Sequence, residues 1–159
     1  MVNKIIEKVE NLCSWLSFSL VILITVDVFL RYVFNFSSAS LYELEWHFFA
    51  AIFLLGSAVT LQKDQHVRVD VFYNKLSKKK KEVINLIGNL FFLVPFSLII
   101  FYTSIPFVTD SFVIMESSPD PGGLPFRFII KSIIPFSFFL LAIIGVINIT
   151  KNVKNISNG

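Results

Sequence analysis

Between residues 83 and 109 the chain carries no charged side chain. About 20 mostly apolar residues suffice to cross a bilayer's hydrocarbon core, and this stretch exceeds that length. The rest of the chain is of the same kind: 55% of its 159 residues are hydrophobic and 16% are charged. A soluble domain carries about 25% charge. The 19 Phe residues are more than a small soluble core needs. These features indicate an integral membrane protein and exclude a soluble enzyme, a secreted disulfide scaffold and a disordered tail. The lone Cys13 can form neither an internal disulfide nor a CxxC pair. Two histidines, His47 and His66, are too few for most metal or haem sites, and no cofactor is expected.

Four apolar stretches stand out, at about 12–34, 41–61, 84–107 and 128–149. They predict an all-α membrane protein with four transmembrane helices, a single integral membrane domain over 1–159. A cleaved signal peptide is the competing reading of the N-terminus, because Lys4 and Lys8 precede an apolar run. That run exceeds the usual 7–15 residues or so of a signal core, and Glu7 and Glu10 interrupt the basic region. The first span is therefore expected to be retained.

The basic residues set the expected orientation. Lys4 and Lys8 precede the first span. Lys63, Arg68, Lys75, Lys78, Lys79, Lys80 and Lys81 lie between the second and third, and Lys151 and Lys154 follow the fourth. On the opposite side only Arg31, Arg127 and Lys131 occur, near helix ends. The positive-inside rule then places both termini and the middle loop in the cytoplasm. The lysine run reads as this topology signal plus attraction to anionic lipid, and not as a nucleic-acid site.

Two loops have shape of their own. In the middle loop, His66-Val67-Arg68-Val69-Asp70-Val71 alternates as a strand would. A lone strand beside a membrane leaves its backbone bonds unmade, so a short interfacial helix over about 69–76 is the alternative. Ser77 is positioned to cap the third helix. The loop between the third and fourth spans reads Ser117-Ser118-Pro119-Asp120-Pro121-Gly122-Gly123-Leu124-Pro125. Its prolines and glycines forbid a helix and predict a shaped turn.

Ionisable groups at membrane depth are costly and are functional candidates by default. Asp27 and Arg31 are four apart and share a helix face. Glu43, Glu45 and His47 enter the second span at the same level, so Arg31 could meet a Glu across the short loop. Arg127 and Lys131 join this layer from the fourth span. Structural pairing or subunit docking is favoured over a relay, because the first two spans offer almost no polar groups below Asp27. Thr25, Ser57, Thr60, Asn85, Asn89, Ser97 and Ser137 are expected to hydrogen-bond between helices. Gly56, Ala58 and Gly88 are expected to let helices approach. Pro95, Pro106 and Pro135 lie within or near the ends of spans three and four.

Several of these segments together carry a resemblance. They are Glu43-Leu44-Glu45-Trp46-His47, Leu54-Leu55-Gly56, His66-Val67-Arg68-Val69-Asp70, the run of Pro119, Asp120, Pro121, Gly122 and Gly123, and Lys131 with Pro135. Across nearly the whole chain the pattern resembles the DctQ-type small membrane subunit of tripartite ATP-independent periplasmic (TRAP) transporters. Within that family it is most similar to the subgroup labelled for mannitol or chloroaromatic compounds. Many small subunits have Arg or Tyr where this chain has Trp46 and His47. The resemblance implies a bacterial inner-membrane protein paired with a large, sodium-coupled transport subunit as a heterodimer. It also implies a periplasmic substrate-binding protein and a small organic solute such as an organic acid. The small subunit would be a fixed brace, with no ATP used; the chain has no P-loop.

Two other classes make different demands. A stand-alone proton-coupled exporter needs an essential unpaired carboxylate deep in its first span, whereas Asp27 is neutralised by spacing with Arg31. An intramembrane redox enzyme needs facing histidines or cysteine pairs, which the positions of His47, His66 and Cys13 do not supply.

Overall fold

The computed structural model describes residues 2–63 and 76–157. The alternating segment 66–71, nearly all of the candidate interfacial helix, and with them His66, Arg68 and Asp70 lie outside the described residues.

Helix α1 runs from Val2–Phe34 and α2 from Ala39–Gln62. The third span is continuous and consists of α3 (Lys78–Ile87), one π-helical turn (Gly88–Leu93) and α4 (Val94–Val113). Helix α5 covers Phe128–Ser157. Among the described residues there is no strand, and four helices are long and apolar enough to cross a membrane.

Helix α1 begins at Val2 and not near residue 12. Its 33 residues span about 50 Å, against about 30 Å of hydrocarbon. The extra turns are helical because Val2, Ile6, Val9 and Cys13 recur at helical spacing and pack against the core, with Ile6 and Val9 buried. Two polar links tie this end of α1 to α2: Gln62 donates to Asn3 at 3.0 Å, and Lys63 pairs with Glu10 at 2.5 Å. Ser77 does precede α3, but its side chain makes no capping bond; its carbonyl accepts from Lys81 N–H at 3.0 Å.

The π turn has a local cause. Pro95 supplies no N–H, and its ring would collide with the Phe91 carbonyl in a regular helix. Widening the turn just before the proline removes that clash without breaking the span.

Packing follows an order different from the chain order. Helix α1 packs on α2, α2 on α5, and α5 on α3, the π turn and α4. No other pairing of helices is extensive among the described residues. The four spans therefore form an open row, first, second, fourth, third, and not a closed bundle. The core is the seam of this row, with Leu55, Ala58 and Val59 of α2 against Leu140, Leu141 and Ile144 of α5.

The α4–α5 contact is built from small residues. Ser97, Ser104 and Ser111 recur every seven positions on α4 and all are buried, as is Ser137 on α5. A seven-residue repeat keeps one narrow face turned to its neighbour when helices cross at a shallow left-handed angle. Gly145 completes the fit: a Cβ there would sit 2.7 Å from Val94 Cγ2 and 3.1 Å from Leu93 Cδ2. Gly56 and Gly88, expected to serve this purpose, have nothing within 4 Å of an added Cβ. The hydroxyls expected to bridge helices mostly turn back on their own. Thr25 donates to the Val21 carbonyl, Ser57 to Leu54 and Thr60 to Gly56. A hydroxyl at membrane depth finds a carbonyl one turn earlier without waiting for a neighbour. No Phe is among the described core residues; most of the rings face outward.

Candidate docking site at the loop end

One end of the row carries the two short connections, residues 35–38 and 114–127. The other end carries both described termini and, among the described residues, every lysine except Lys131.

Helix α4 stops in a defined way. Glu116 N–H reaches the Ser111 carbonyl at 2.9 Å, and Met115 N–H reaches Phe112 at 3.0 Å. Met115 takes the left-handed conformation this cap requires, with φ 49°. The chain then folds back on itself. Asp120 to Gly123 form a tight turn with Pro121 second and Gly122 third, where φ is 78°, closed by Gly123 N–H to the Asp120 carbonyl at 2.9 Å. Ser118 N–H donates to Leu124 O at 3.0 Å, and Arg127 N–H to Glu116 O at 2.8 Å. The sequence-based expectation of a shaped turn therefore has a specific form.

Glu43, on the first turns of α2, locks this loop. It is 2% exposed. Its Oε1 accepts from the Ser118 hydroxyl, and its Oε2 accepts from Leu124 N–H at 2.6 Å. Arg127 Nη2 lies 3.8 Å from Oε1, and its guanidinium is 5.8 Å from the centre of the Trp46 ring. Gly123 permits the closure, because a Cβ there would be 2.8 Å from Glu43 Oε2 and 2.5 Å from Ser118 Cβ. A second pair, Lys131 with Glu116, fastens the start of α5 to the end of α4, and the Lys131 ammonium lies 4.1 Å from the Phe107 ring centre.

The remaining charges form a separate group between α1 and α2. Asp27 is buried and pairs with Arg31 on its own helix at 2.5 Å. The Arg31 side chain is 52% exposed. Glu45 lies within electrostatic reach of both, and its Oε1 is buried with no partner among the described residues. His47 stacks on Trp46 with ring centres 3.9 Å apart, and its Nδ1 is likewise buried without a partner among the described residues.

The geometry thus divides one expected layer into two. Glu43, Arg127 and Lys131 act with Glu116 as a latch; Asp27, Arg31 and Glu45 do not touch it. Pro119, Asp120, Pro121 and Gly122 form the exposed tip of the latched loop. Ser118 and Glu116 carry more of the latch than their sequence context indicated; the Gly122-Gly123 pair was the signal that something must approach closely there. Among the described residues no cluster of three or more His, Cys, Asp or Glu side chains could hold a metal ion.

The latch has a pH dependence of defined sign. The Lys131 ammonium, by its hydrogen bond, holds the Glu116 carboxyl below its ordinary value of 4.5. A carboxyl whose value is lowered on folding contributes stability that is complete above the unfolded value and is lost as pH falls through the folded one. Protection of loop 114–127 from proteolysis should therefore be constant from neutral pH down to 4.5 and decline below it. In Lys131→Gln the decline should be smaller. Equal profiles for the two proteins would show that this pair does not hold the loop.

Comparison with known proteins follows from this architecture. Residues 20–155 match the family model described as tripartite ATP-independent periplasmic transporters, DctQ component. The chain is also similar to a Haemophilus influenzae protein provisionally named TRAP transporter small permease protein, with 28% identity over 142 residues, 89% of this chain and 88% of that one. This chain belongs to the DctQ family, the small-permease component of tripartite ATP-independent periplasmic transporters, and is accordingly a multi-pass inner-membrane transport component and not an enzyme.

Proposed function

We propose that this chain is the fixed bracing subunit of a sodium-coupled uptake system for a small organic solute of the organic-acid class. In this reading it forms a heterodimer with a large transport subunit, which carries the solute and ion sites. The loop end faces the periplasm, where a substrate-binding protein delivers the ligand, and both termini face the cytoplasm beside the lysines. The observation that carries the bracing role is the open row of helices. Thr25, Ser57 and Thr60 bond within their own helices, and the charged groups of the described spans lie at their two ends, so no ionisable group stands at mid-depth.

Within the loop-end layer, Arg31, Glu45 and His47 are the groups to test for docking. They combine a half-exposed guanidinium with two buried polar atoms that lack partners among the described residues. A partner that supplies those bonds gains more than one that meets a satisfied surface. Asp27 orients Arg31, while Glu43, Arg127 and Lys131 shape the loop from behind.

The test is reconstitution. The chain alone in liposomes should pass no solute; it should co-purify with the large subunit, and the pair supplied with the substrate-binding protein should support sodium-driven uptake. Arg31→Glu should reduce complex yield or uptake severalfold. Solute flux through the chain alone would overturn the bracing role and favour a small exporter. Unchanged yield and rate in Arg31→Glu would remove Arg31 from the interface.

A further inference from the structure

Glu45, Phe49 and Phe53 stand three, seven and eleven positions after Tyr42 on α2, so the four share one stripe of the helix. The aromatic rings of Tyr42, Phe49 and Phe53 are 67%, 63% and 70% exposed. Lipid covers exposed rings as well as protein does, so the rings alone mark no partner. The carboxylate among them does. Helix α2 is about 36 Å long, and Glu45 lies about 9 Å along it from Ala39. Centred on about 30 Å of hydrocarbon, the helix places Glu45 just inside the apolar layer. An ionisable group there faces protein and pairs, because lipid offers it nothing.

Within this chain the pairing is incomplete. Glu45 is half-buried, and its Oε1 is buried with no hydrogen-bond partner among the described residues. The charges that act on it are those of Asp27 and Arg31. Arg31 is already committed to Asp27 at 2.5 Å. Two carboxylates therefore share one guanidinium, and the group carries one negative charge in excess. The latch has no such excess, since Arg127 and Lys131 match Glu43 and Glu116.

We propose that this stripe of α2 is where the large transport subunit docks, with a Lys or Arg of that subunit set against Glu45 and apolar side chains packed on Phe49 and Phe53. The inference rests on the bracing function proposed above and adds to it the face used and the chemistry of the contact. A cation from the partner completes the charge balance where low dielectric makes the attraction strong. Aromatic rings beside a charged pair are the usual make-up of such a contact. A bare metal ion does not replace the side chain. It needs more oxygen ligands than Asp27 and Glu45 supply, and the described residues hold no group of three or more His, Cys, Asp or Glu side chains fit for one.

The test is photocross-linking and co-purification of the full chain made together with its large subunit. p-Benzoylphenylalanine in place of Phe49 or Phe53 should cross-link to the large subunit. In place of Tyr102, which is 73% exposed on the charge-free part of the third span, it should not. Glu45→Gln keeps the shape and removes the charge, and should lower the yield of complex about fivefold. Glu45→Lys should lower it further, and a Lys→Glu or Arg→Glu change in the large subunit should restore it. The cross-links and the isosteric glutamine decide the matter whether or not Glu45→Lys folds. If the wild-type chains form a complex and Glu45→Gln matches their yield, or the Tyr102 position cross-links as well as Phe53, the docking face is wrong while the bracing role stands. If the wild-type chains form no complex, the bracing role itself falls and the docking face with it.

Discussion

Replacing Glu43 with alanine is expected to be among the most destabilising single changes in the chain, because it removes the acceptor of three loop contacts at once. The carboxylate takes the Ser118 hydroxyl, the Leu124 N–H and the Arg127 guanidinium. Its loss leaves a half-buried cation and a backbone donor without an acceptor, and opens space beneath Gly123. Glu43→Gln should fall between, since an amide keeps one acceptor oxygen but cannot take donors at both positions. Equilibrium unfolding in detergent gives the size of the effect. Protease cutting within 114–127 should rise in the same order, from wild type through glutamine to alanine. If the alanine variant unfolds at the same denaturant concentration as the wild type, the latch adds nothing measurable and the loop is held by its own turn.

The second large effect is expected far from that loop. Gly145→Val places a branched side chain where even a Cβ would be 2.7 Å from Val94 Cγ2. Val94 cannot turn aside easily, because its β-branch leaves one favoured rotamer in a helix. Overpacking of this kind costs about 1–3 kcal/mol in well-packed interiors. Leu93, whose Cδ2 is 3.1 Å from the same point, would have to shift as well. Gly145→Ala should show a smaller loss in the same direction. The same exchange at Gly56, where an added Cβ meets nothing within 4 Å, is the matched control and should be close to neutral. Equal effects at the two glycines would contradict the α4–α5 contact described above.

The contrast between those glycines shows where sequence reasoning stops. The spans were legible because crossing a bilayer depends on length and apolar content, which are local properties. Which side of each span meets a neighbour was not legible. The second and fourth spans are apolar all round and carry no periodic mark of their buried face, so Gly56 and Gly145 look alike in the sequence, whereas the seven-residue spacing of Ser97, Ser104 and Ser111 does mark the third. The latch was half legible. Pro121, Gly122 and Gly123 encode a turn by their own backbone preferences. That Glu43 closes it depends on contacts 75 and 81 residues away, which no local pattern records. Asp27 and Arg31 are the opposite case: their four-residue spacing is local, and it alone brings the pair together on one helix. The early start of α1 was readable in the spacing of Val2, Ile6 and Val9, but the charges between them hid it.

The row order has a consequence for biogenesis. Polypeptides emerge from the ribosome N-terminus first, and helices inserted one by one then associate within the bilayer. The first two spans can pair as soon as they are made. The third cannot join them, because its packing surface is directed at α5 and not at α2. It must wait in lipid, with its serine face uncovered, until the last helix arrives. Only when residues as late as Leu140, Leu141, Ile144 and Gly145 are in place do the two halves become one body. The final span is therefore the keystone of assembly, and a nascent chain stalled before it would hold an orphaned third helix open to membrane quality control.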